Sequence, residues 1–177
     1  MPIAHPCRAE RGMTLIEILV VIVIIGIMTA LAMISIGVLG EDREIERESE
    51  RLADAITLLR EQAELEGRDY GVWLETSRYE FRRFDAFEQR WQPVEGDAAL
   101  APRELSPELT LELVLEGRPI LLRQEKNPDN RVPQLVAWGS GETTPYRLTI
   151  ARKGGARITL VGNFDGQIEL ERGGEGT

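Results

Sequence analysis

Apolar residues are concentrated in one unbroken run near the start of the chain. Residues 18–40 carry no charge, and as a helix they would extend roughly 34 Å, enough to cross a hydrocarbon core of about 30 Å. Arg8 and Arg11 precede the run, whereas Glu41 and Asp42 follow it. Because basic flanks remain in the cytoplasm, the pattern predicts a membrane helix with the rest of the chain on the other side.

Helical spacing continues beyond this run. Apolar residues recur at intervals of seven, four, three and four positions, at Ile45, Leu52, Ile56, Leu59 and Ala63. Such a stripe is typical of a helix with one buried face. The chain has no proline between Met13 and Gly67, so both patterns predict one continuous helix that ends at Gly67 and whose outer half packs on another element.

The polar face of this outer half is strongly charged. Residues 41–66 contain ten acidic and four basic side chains. Glu44 precedes Arg47 by three positions, and Glu48 precedes Arg51 by the same interval. This spacing is typical of ion pairs along a solvated helix face.

From Tyr70 the period changes to two, which predicts β-strands. Strands are predicted at 71–74, 79–81, 87–94, 108–115, 134–138, 146–150, 157–161 and 167–170. Turns at 76–78, 139–142 and 163–166 are expected to close hairpins, and 93–107 and 123–133 are expected to be loops. Residues 108–115 alternate most clearly, with leucine at every second position. The fold class is therefore α+β, with an antiparallel β-sandwich partly covered by the helical stripe.

Composition excludes several kinds of chemistry. The 177 residues include 21 Lys and Arg against 30 Asp and Glu, and the net charge of -9 disfavours bulk binding to polyanions. The only cysteine is Cys7 and the only histidine is His5. Disulfides, zinc sites and histidine-dependent catalysis are therefore not expected downstream. The sequence predicts neither an enzyme nor a cofactor or metal site.

One carboxylate, Glu17, stands at the entry to the apolar run. A charged side chain at the centre of a bilayer costs about 2.5 to 3.5 kcal/mol, and less near the interface. Glu17 is part of the motif RGMTLIE at residues 11–17. The alternative is a secretory signal peptide, because Ala30-Leu31-Ala32 could be cut by a signal peptidase to release a soluble chain. Glu17 counts against that alternative, since it would place a charge in the apolar region of the signal peptide.

The motif at residues 11–17 resembles the class III signal of type IV pilin-like proteins. The resemblance implies that a prepilin peptidase cuts between Gly12 and Met13 on the cytoplasmic face and N-methylates Met13. It further implies that Thr14 and Glu17 serve filament assembly. Met13 departs from the phenylalanine that is usual in the family, a change between two large apolar residues.

The physics of a bundled helix agrees with this resemblance. Cleavage would create an amine at Met13, one helical turn before Glu17. When such helices associate away from water, each Glu17 can meet the amine of a neighbouring subunit, so that two unfavourable charges form one hydrogen-bonded pair. The simpler alternative is that the helix is an ordinary membrane anchor and that Glu17 lies at the level of the lipid headgroups.

A second block, PQLVAWGSGETTPYRL at residues 133–148, resembles the signature of the general secretion pathway protein H family, the minor pseudopilins of type II secretion. Its predicted signature hairpin contains Gly139, Ser140, Gly141, Glu142 and Pro145. The resemblance implies a type IV pilin-like fold, with a long N-terminal helix on a C-terminal antiparallel β-sandwich. Its expected parts are a leader at 1–12, a transmembrane half-helix at 13–40, an amphipathic periplasmic half at 41–66 and a periplasmic β-rich domain at 67–177.

The resemblance also implies a non-enzymatic subunit of the inner membrane, with a cytoplasmic N-terminus and a periplasmic C-terminal domain. Its implied partners are the prepilin peptidase, the other minor pseudopilins, the major pseudopilin and the inner-membrane assembly platform. The implied role lies near the tip of a pseudopilus that helps to push folded proteins through the outer-membrane secretin.

Three alternatives remain at the level of sequence. A minor pilin of a type IV pilus would share the helix and the leader. A soluble periplasmic binding protein would follow from a signal-peptidase cut after Ala32. DNA capture is favoured only by one basic stretch, formed by Arg147, Arg152, Lys153 and Arg157, and those side chains could equally be solvent-facing strand residues.

Overall fold

The computed structural model describes residues 15–173, and within its helix the side chains of residues 30–42 are left out of that description. Gly12, Met13 and Thr14 thus lie outside the described residues. The described residues fall into two units, which divide between Glu41 and Asp42.

The first element, α1, is a single helix that spans Leu15–Glu66. It ends as predicted, because Gly67 has a φ of 59° and the Arg68 amide donates to the Ala63 carbonyl at 3.1 Å. This backbone hydrogen bond is the one that closes a Schellman cap. Within the described residues, no helix combines the length and the apolar character needed to cross a membrane. The span predicted at 18–40 extends into positions whose side chains are not described.

Ten strands follow the helix. They are β1 (Tyr70–Glu75), β2 (Arg78–Asp85), β3 (Arg90–Pro93), β4 (Arg103–Glu104), β5 (Leu109–Leu115), β6 (Arg118–Ile120), β7 (Leu135–Ala137), β8 (Tyr146–Arg152), β9 (Arg157–Gly162) and β10 (Ile168–Gly173). A short 3₁₀ helix, Pro128–Asn130, lies between β6 and β7.

The strands form two antiparallel sheets of five strands each. The first sheet has the order β3-β2-β1-β7, and β4 pairs with the other end of β2. The second sheet has the order β10-β9-β8-β5-β6. This arrangement confirms the predicted α+β class with antiparallel sheets.

One hydrophobic core joins both sheets to the outer half of α1. All five residues of the predicted stripe are buried, and none is more than 6% exposed: Ile45, Leu52, Ile56, Leu59 and Ala63. Burial of each large side chain contributes about 2 kcal/mol of hydrophobic stabilisation. From the first sheet, Tyr79 and Phe81 meet edge to face with ring centroids 5.7 Å apart. The second sheet contributes Leu148 and Ile150, both fully buried.

The prediction that residues 134–138 and 146–150 pair with each other as the two strands of a hairpin is wrong. β7 pairs with β1 in the first sheet, whereas β8 pairs with β5 and β9 in the second. The tight turn between them is present, because the Trp138 amide donates to the Glu142 carbonyl at 2.9 Å. An antiparallel bridge between Ala137 and Thr143 closes the turn as in a hairpin. Beyond this bridge the chain leaves one sheet and enters the other, and we call the turn the crossover.

Two other segments differ from the prediction in extent. The strand expected at 87–94 begins only at Arg90, and Phe87 is 97% exposed in the turn before it. The segment 93–107 contains the short strand β4. The hairpin turn at 163–166 is confirmed, since it joins β9 to β10 and the Gly166 amide donates to the Asn163 carbonyl at 3.0 Å.

Candidate functional site

The described start of α1 is an apolar surface that contains one acid. Glu17 lies in the first turn, and every side chain from Leu15 to Thr29 is exposed. Within residues 15–173, Glu17 forms no ion pair. A continuous apolar surface of this kind needs cover from outside the chain.

The predicted signature turn packs against the end of α1. Gly139 approaches the helix terminus so closely that a Cβ placed on it would lie 2.6 Å from the Gly67 carbonyl carbon and 2.7 Å from the Arg68 nitrogen. The Gly139 amide donates to Asp69 Oδ1 at 3.1 Å. A residue without a side chain is therefore required where the crossover meets the first residues after the helix.

The rest of the turn is shaped by backbone conformation. Gly141 has a φ of 92°, and its amide donates to the Trp138 carbonyl at 2.9 Å. Ser140, Glu142 and Pro145 are exposed. The turn is also tied to the β9–β10 hairpin, because the Thr143 hydroxyl donates to the Asn163 carbonyl at 2.6 Å. Its two glycines have structural roles, whereas its three exposed residues are available to solvent.

Comparison with known proteins identifies the family of the chain. Residues 7–33 match the prokaryotic N-terminal methylation motif. The type II secretion system protein H of Pseudomonas aeruginosa is 40% identical over 176 residues, covering 93% of this chain and 99% of that protein. The chain belongs to the type II secretion system protein H family. Protein H of Vibrio cholerae is 30% identical over 166 residues, covering 82% of this chain and 84% of its own length.

A solved structure gives the same result for the fold. The minor pseudopilin EpsH from the type 2 secretion system of Vibrio cholerae superposes with a TM-score of 0.58 at 26% identity, covering 73% of this chain and 97% of that one. The family and the pilin-like fold inferred from residues 11–17 and 133–148 are thus confirmed. As a protein H, the chain is a minor pseudopilin of type II secretion.

In this protein H, three glutamates at alternate positions of α1 bind three arginines of the β-rich domain. Glu44 pairs with Arg152 of β8, Glu46 pairs with Arg172 of β10 at 3.0 Å, and Glu48 pairs with Arg103 of β4 at 3.0 Å. We call these six residues the arginine clamp. Since the arginines come from both sheets, the clamp fixes the first turns of the amphipathic half-helix to both sheets at once.

Two members of the clamp, Glu44 and Arg103, have shifted pKa values. The hydrogen bond from Arg152 lowers the pKa of Glu44, and the hydrogen bond to Glu48 raises the pKa of Arg103. Tyr79 of β2 donates to Glu48 Oε1 at 2.9 Å. Burial, reinforced by the Glu48 charge, raises the pKa of Tyr79 above its ordinary value. The shifts of Glu44 and Arg103 both favour the charged form of the group.

A second buried charge cluster lies on the other face of the first sheet. Glu80 accepts hydrogen bonds from Arg82 at 2.6 Å and from Arg131 at 2.7 Å. The Arg131 guanidinium also lies 4.5 Å from the centroid of the buried Trp73 ring, a cation–π contact. Burial lowers the pKa of Arg82, which is only 1% exposed. These contacts hold the segment before β7 over the sheet.

The three arginines of the basic stretch in the last third of the chain each pair with an acid from another element. Arg147 pairs with Glu171 at 2.5 Å, Arg152 with Glu44 and Arg157 with Glu112, while Lys153 donates to the Pro107 carbonyl at 2.9 Å. The stretch is accordingly not a continuous positive surface. These pairings weaken the argument for DNA capture.

Sequence reasoning missed the arginine clamp. One signal was present, because Glu48 lies between Ile45 and Leu52 on the buried stripe and is itself only 8% exposed. A charge in such a position indicates a buried partner. Nothing in the local sequence identifies Arg103 as that partner. Glu80 and Arg82 gave no signal, because alternate charged residues on a strand usually face solvent.

Proposed function

We propose that this minor pseudopilin is a non-catalytic assembly subunit near the tip of the periplasmic pseudopilus. Its leader is removed between Gly12 and Met13, Met13 is N-methylated, and the helix holds the subunit in the inner membrane. The N-terminus is cytoplasmic and residues 67–177 are periplasmic. Support comes from the methylation motif at residues 7–33 and from the uncovered apolar surface at the start of α1.

Glu17 drives the step from membrane to filament. In the membrane its carboxylate lies near headgroups, where the energetic cost of its charge is modest. In the bundle of helices it pairs with the new amine of Met13 on an adjacent subunit, and Thr14 lies beside that contact. An ion pair in a dry environment is retained only with good geometry, so the pair also specifies the register between subunits.

The partners follow from this role. They are the prepilin peptidase, the other minor pseudopilins, the major pseudopilin and the inner-membrane assembly platform. Protein H joins the tip assembly to the shaft, and the growing filament drives folded proteins through the outer-membrane secretin. Similarity to the type II secretion system protein H of Pseudomonas aeruginosa and to the minor pseudopilin EpsH supports this assignment.

Mass spectrometry of the mature N-terminus tests the processing step. We expect a chain that begins with methylated Met13, whereas a signal peptidase would leave a soluble chain that begins at Met33. Gly12→Leu should retain the leader, and a Ser140→Leu variant should be processed normally. Cleavage at the same bond in Gly12→Leu would contradict the assigned site.

The assembly step needs a separate measurement. Glu17→Ala should insert and be cleaved but co-purify with other pseudopilins at a small fraction of the normal yield, because the buried amine loses its partner. Glu17→Asp, which retains the charge on a shorter side chain, should recover part of that yield. Unchanged co-purification of Glu17→Ala would count against charge pairing.

A further inference from the structure

Three arginines of α1 form an exposed stripe with no ion-pair partner in the described part of the chain. Arg43, Arg47 and Arg51 recur every four residues on one face of the helix, and all three are exposed. The sequence predicts pairs with Glu44 and Glu48, but those glutamates bind arginines of the β-strands instead. The arginine clamp therefore leaves the helix arginines available to a partner.

A groove of about 600 Å³ continues this stripe along the helix. Its lining includes the arginines Arg47 and Arg51, the apolar side chains of Ala55 and Leu58, and Ala99 from the segment between β3 and β4. Along the helix axis, the groove therefore presents two guanidinium groups and then an apolar surface.

The groove also contains acids, and these define its ligand. Glu50 and Asp54 line it together with Arg47 and Arg51. A uniformly anionic surface such as a lipid headgroup layer would be repelled by both acids as well as attracted by both arginines. A segment with one carboxylate and a neighbouring apolar side chain can place its charge beside the arginines and its apolar group against Ala55 and Leu58.

The last turns of α1 itself have this complementary pattern. Glu61 and Leu65 are four residues apart on one helix face, and both are exposed, Leu65 to 86%. Glu61 forms no ion pair within residues 15–173. Suppose that two such helices run parallel, with Glu61 of the first helix at the same height as Arg51 of the second. Leu65 of the first helix then lies at the same height as Ala55 of the second. The required stagger is ten residues, about 15 Å.

We propose that the groove docks the end of the N-terminal helix of an adjacent pilin-like subunit, one that carries a carboxylate followed four residues later by leucine. Its carboxylate pairs with Arg47 and Arg51, and its leucine packs on Ala55 and Leu58. The inference rests on the proposed function, because parallel neighbouring helices require a filament. The contact is distinct from that of Glu17, which belongs to the other end of the helix.

Photocrosslinking in the full-length chain tests this contact. The photoreactive amino acid p-benzoylphenylalanine replaces Ala99, which is exposed at the groove, in cells that assemble their own type II secretion system. Mass spectrometry of the adduct should identify the end of the N-terminal helix of a pilin-like subunit. A control reporter at Phe87, which is 97% exposed elsewhere on the domain, should not give that peptide.

Every other adduct overturns the inference. A lipid adduct, an adduct with a different protein, an adduct with another part of a pilin-like subunit, or no adduct at position 99 would each exclude the proposed docking. Co-purification of other pseudopilins in the same sample is scored separately. If they co-purify without the expected adduct, the inference fails and the proposed function stands. If they do not co-purify at all, the proposed function itself fails.

Charge reversal supplies a second readout. With the reporter at position 99, Arg47→Glu combined with Arg51→Glu should reduce the adduct yield about tenfold, because like charges then face each other across the contact. The matched control reverses Arg118 and Arg123, two exposed arginines of the β-rich domain, and should leave the yield unchanged. An unchanged yield in the Arg47/Arg51 variant would overturn the charge-based part of the docking.

Discussion

Arg103 on β4 holds Glu48 of α1 through two parallel hydrogen bonds, from Nε to Oε1 at 3.0 Å and from Nη2 to Oε2 at 3.0 Å. The two residues are 55 positions apart in the sequence. Bidentate pairing of this kind fixes the orientation of the carboxylate as well as its charge. Glu48 is buried, whereas Arg103 is partly exposed. Loss of the arginine would therefore leave the Glu48 carboxylate unpaired in the interior.

Replacing Arg103 by alanine should therefore destabilise the fold by about 2 kcal/mol, since the Glu48 charge remains buried with only Tyr79 to satisfy it. Urea denaturation of the whole chain in detergent micelles measures the change. Arg147→Ala is the matched control, because Arg147 and its partner Glu171 are both about half exposed, and its loss should cost about 0.5 kcal/mol or less. Equal effects of the two substitutions would contradict the special role of the buried carboxylate.

Removal of two buried tyrosine hydroxyls should change the free energy of unfolding in opposite directions. Tyr79 donates to Glu48 at 2.9 Å, so Tyr79→Phe should cost about 1.5 kcal/mol. The Tyr146 hydroxyl is buried and has no hydrogen-bond partner among the described residues. Tyr146→Phe should therefore stabilise the fold by about 1 kcal/mol, because an unsatisfied polar group is removed. Denaturation of both variants against the parent checks the signs, and destabilisation by Tyr146→Phe would indicate a partner at that hydroxyl.

Alkaline pH should unfold the β-rich domain before its tyrosines ionise in place. The chain contains three tyrosines, and burial raises the pKa of Tyr70, Tyr79 and Tyr146 above the ordinary 10.0. A raised pKa means that the folded state favours the neutral phenol, so this contribution is fully present below pH 10 and is lost as the pH rises further. Tyrosinate absorbance should consequently appear together with loss of circular dichroism. Ionisation near pH 10 with the fold intact would contradict the burial argument.

The parts of this fold that follow from local periodicity could be predicted from the sequence. The buried stripe from Ile45 to Ala63 repeats at helical spacing, and the turn at 163–166 contains Gly166, a residue type that is typical of such turns. The pairing of β7 with β1 could not be predicted, because the residues after it have a hairpin-like sequence and the choice of sheet depends on distant strands. The same holds for Arg103 and Glu48, since either charge alone resembles a solvated surface residue.

Gly139 provides the sharpest test of the crossover. Gly139→Ala would place its Cβ within 2.6 to 3.0 Å of backbone atoms of Gly67 and Arg68, which cannot move aside as a flexible side chain would. The crossover must then shift away from the helix terminus and lengthen the 3.1 Å hydrogen bond to Asp69. We expect a loss of about 3 kcal/mol in unfolding free energy, at the upper end of the usual cost of overpacking.

The control for this substitution is Gly155→Ala, at which the new Cβ would meet only the flexible Arg152 side chain at 3.5 Å. That contact is ordinary, and the smaller entropy of the unfolded chain should make the change neutral or slightly stabilising. Comparing the two variants separates a requirement for close approach from a general loss of backbone freedom. If Gly139→Ala were as stable as Gly155→Ala, the signature glycine could not be explained by packing against the helix terminus, and its role would have to lie on the exposed side of the turn, beside Ser140.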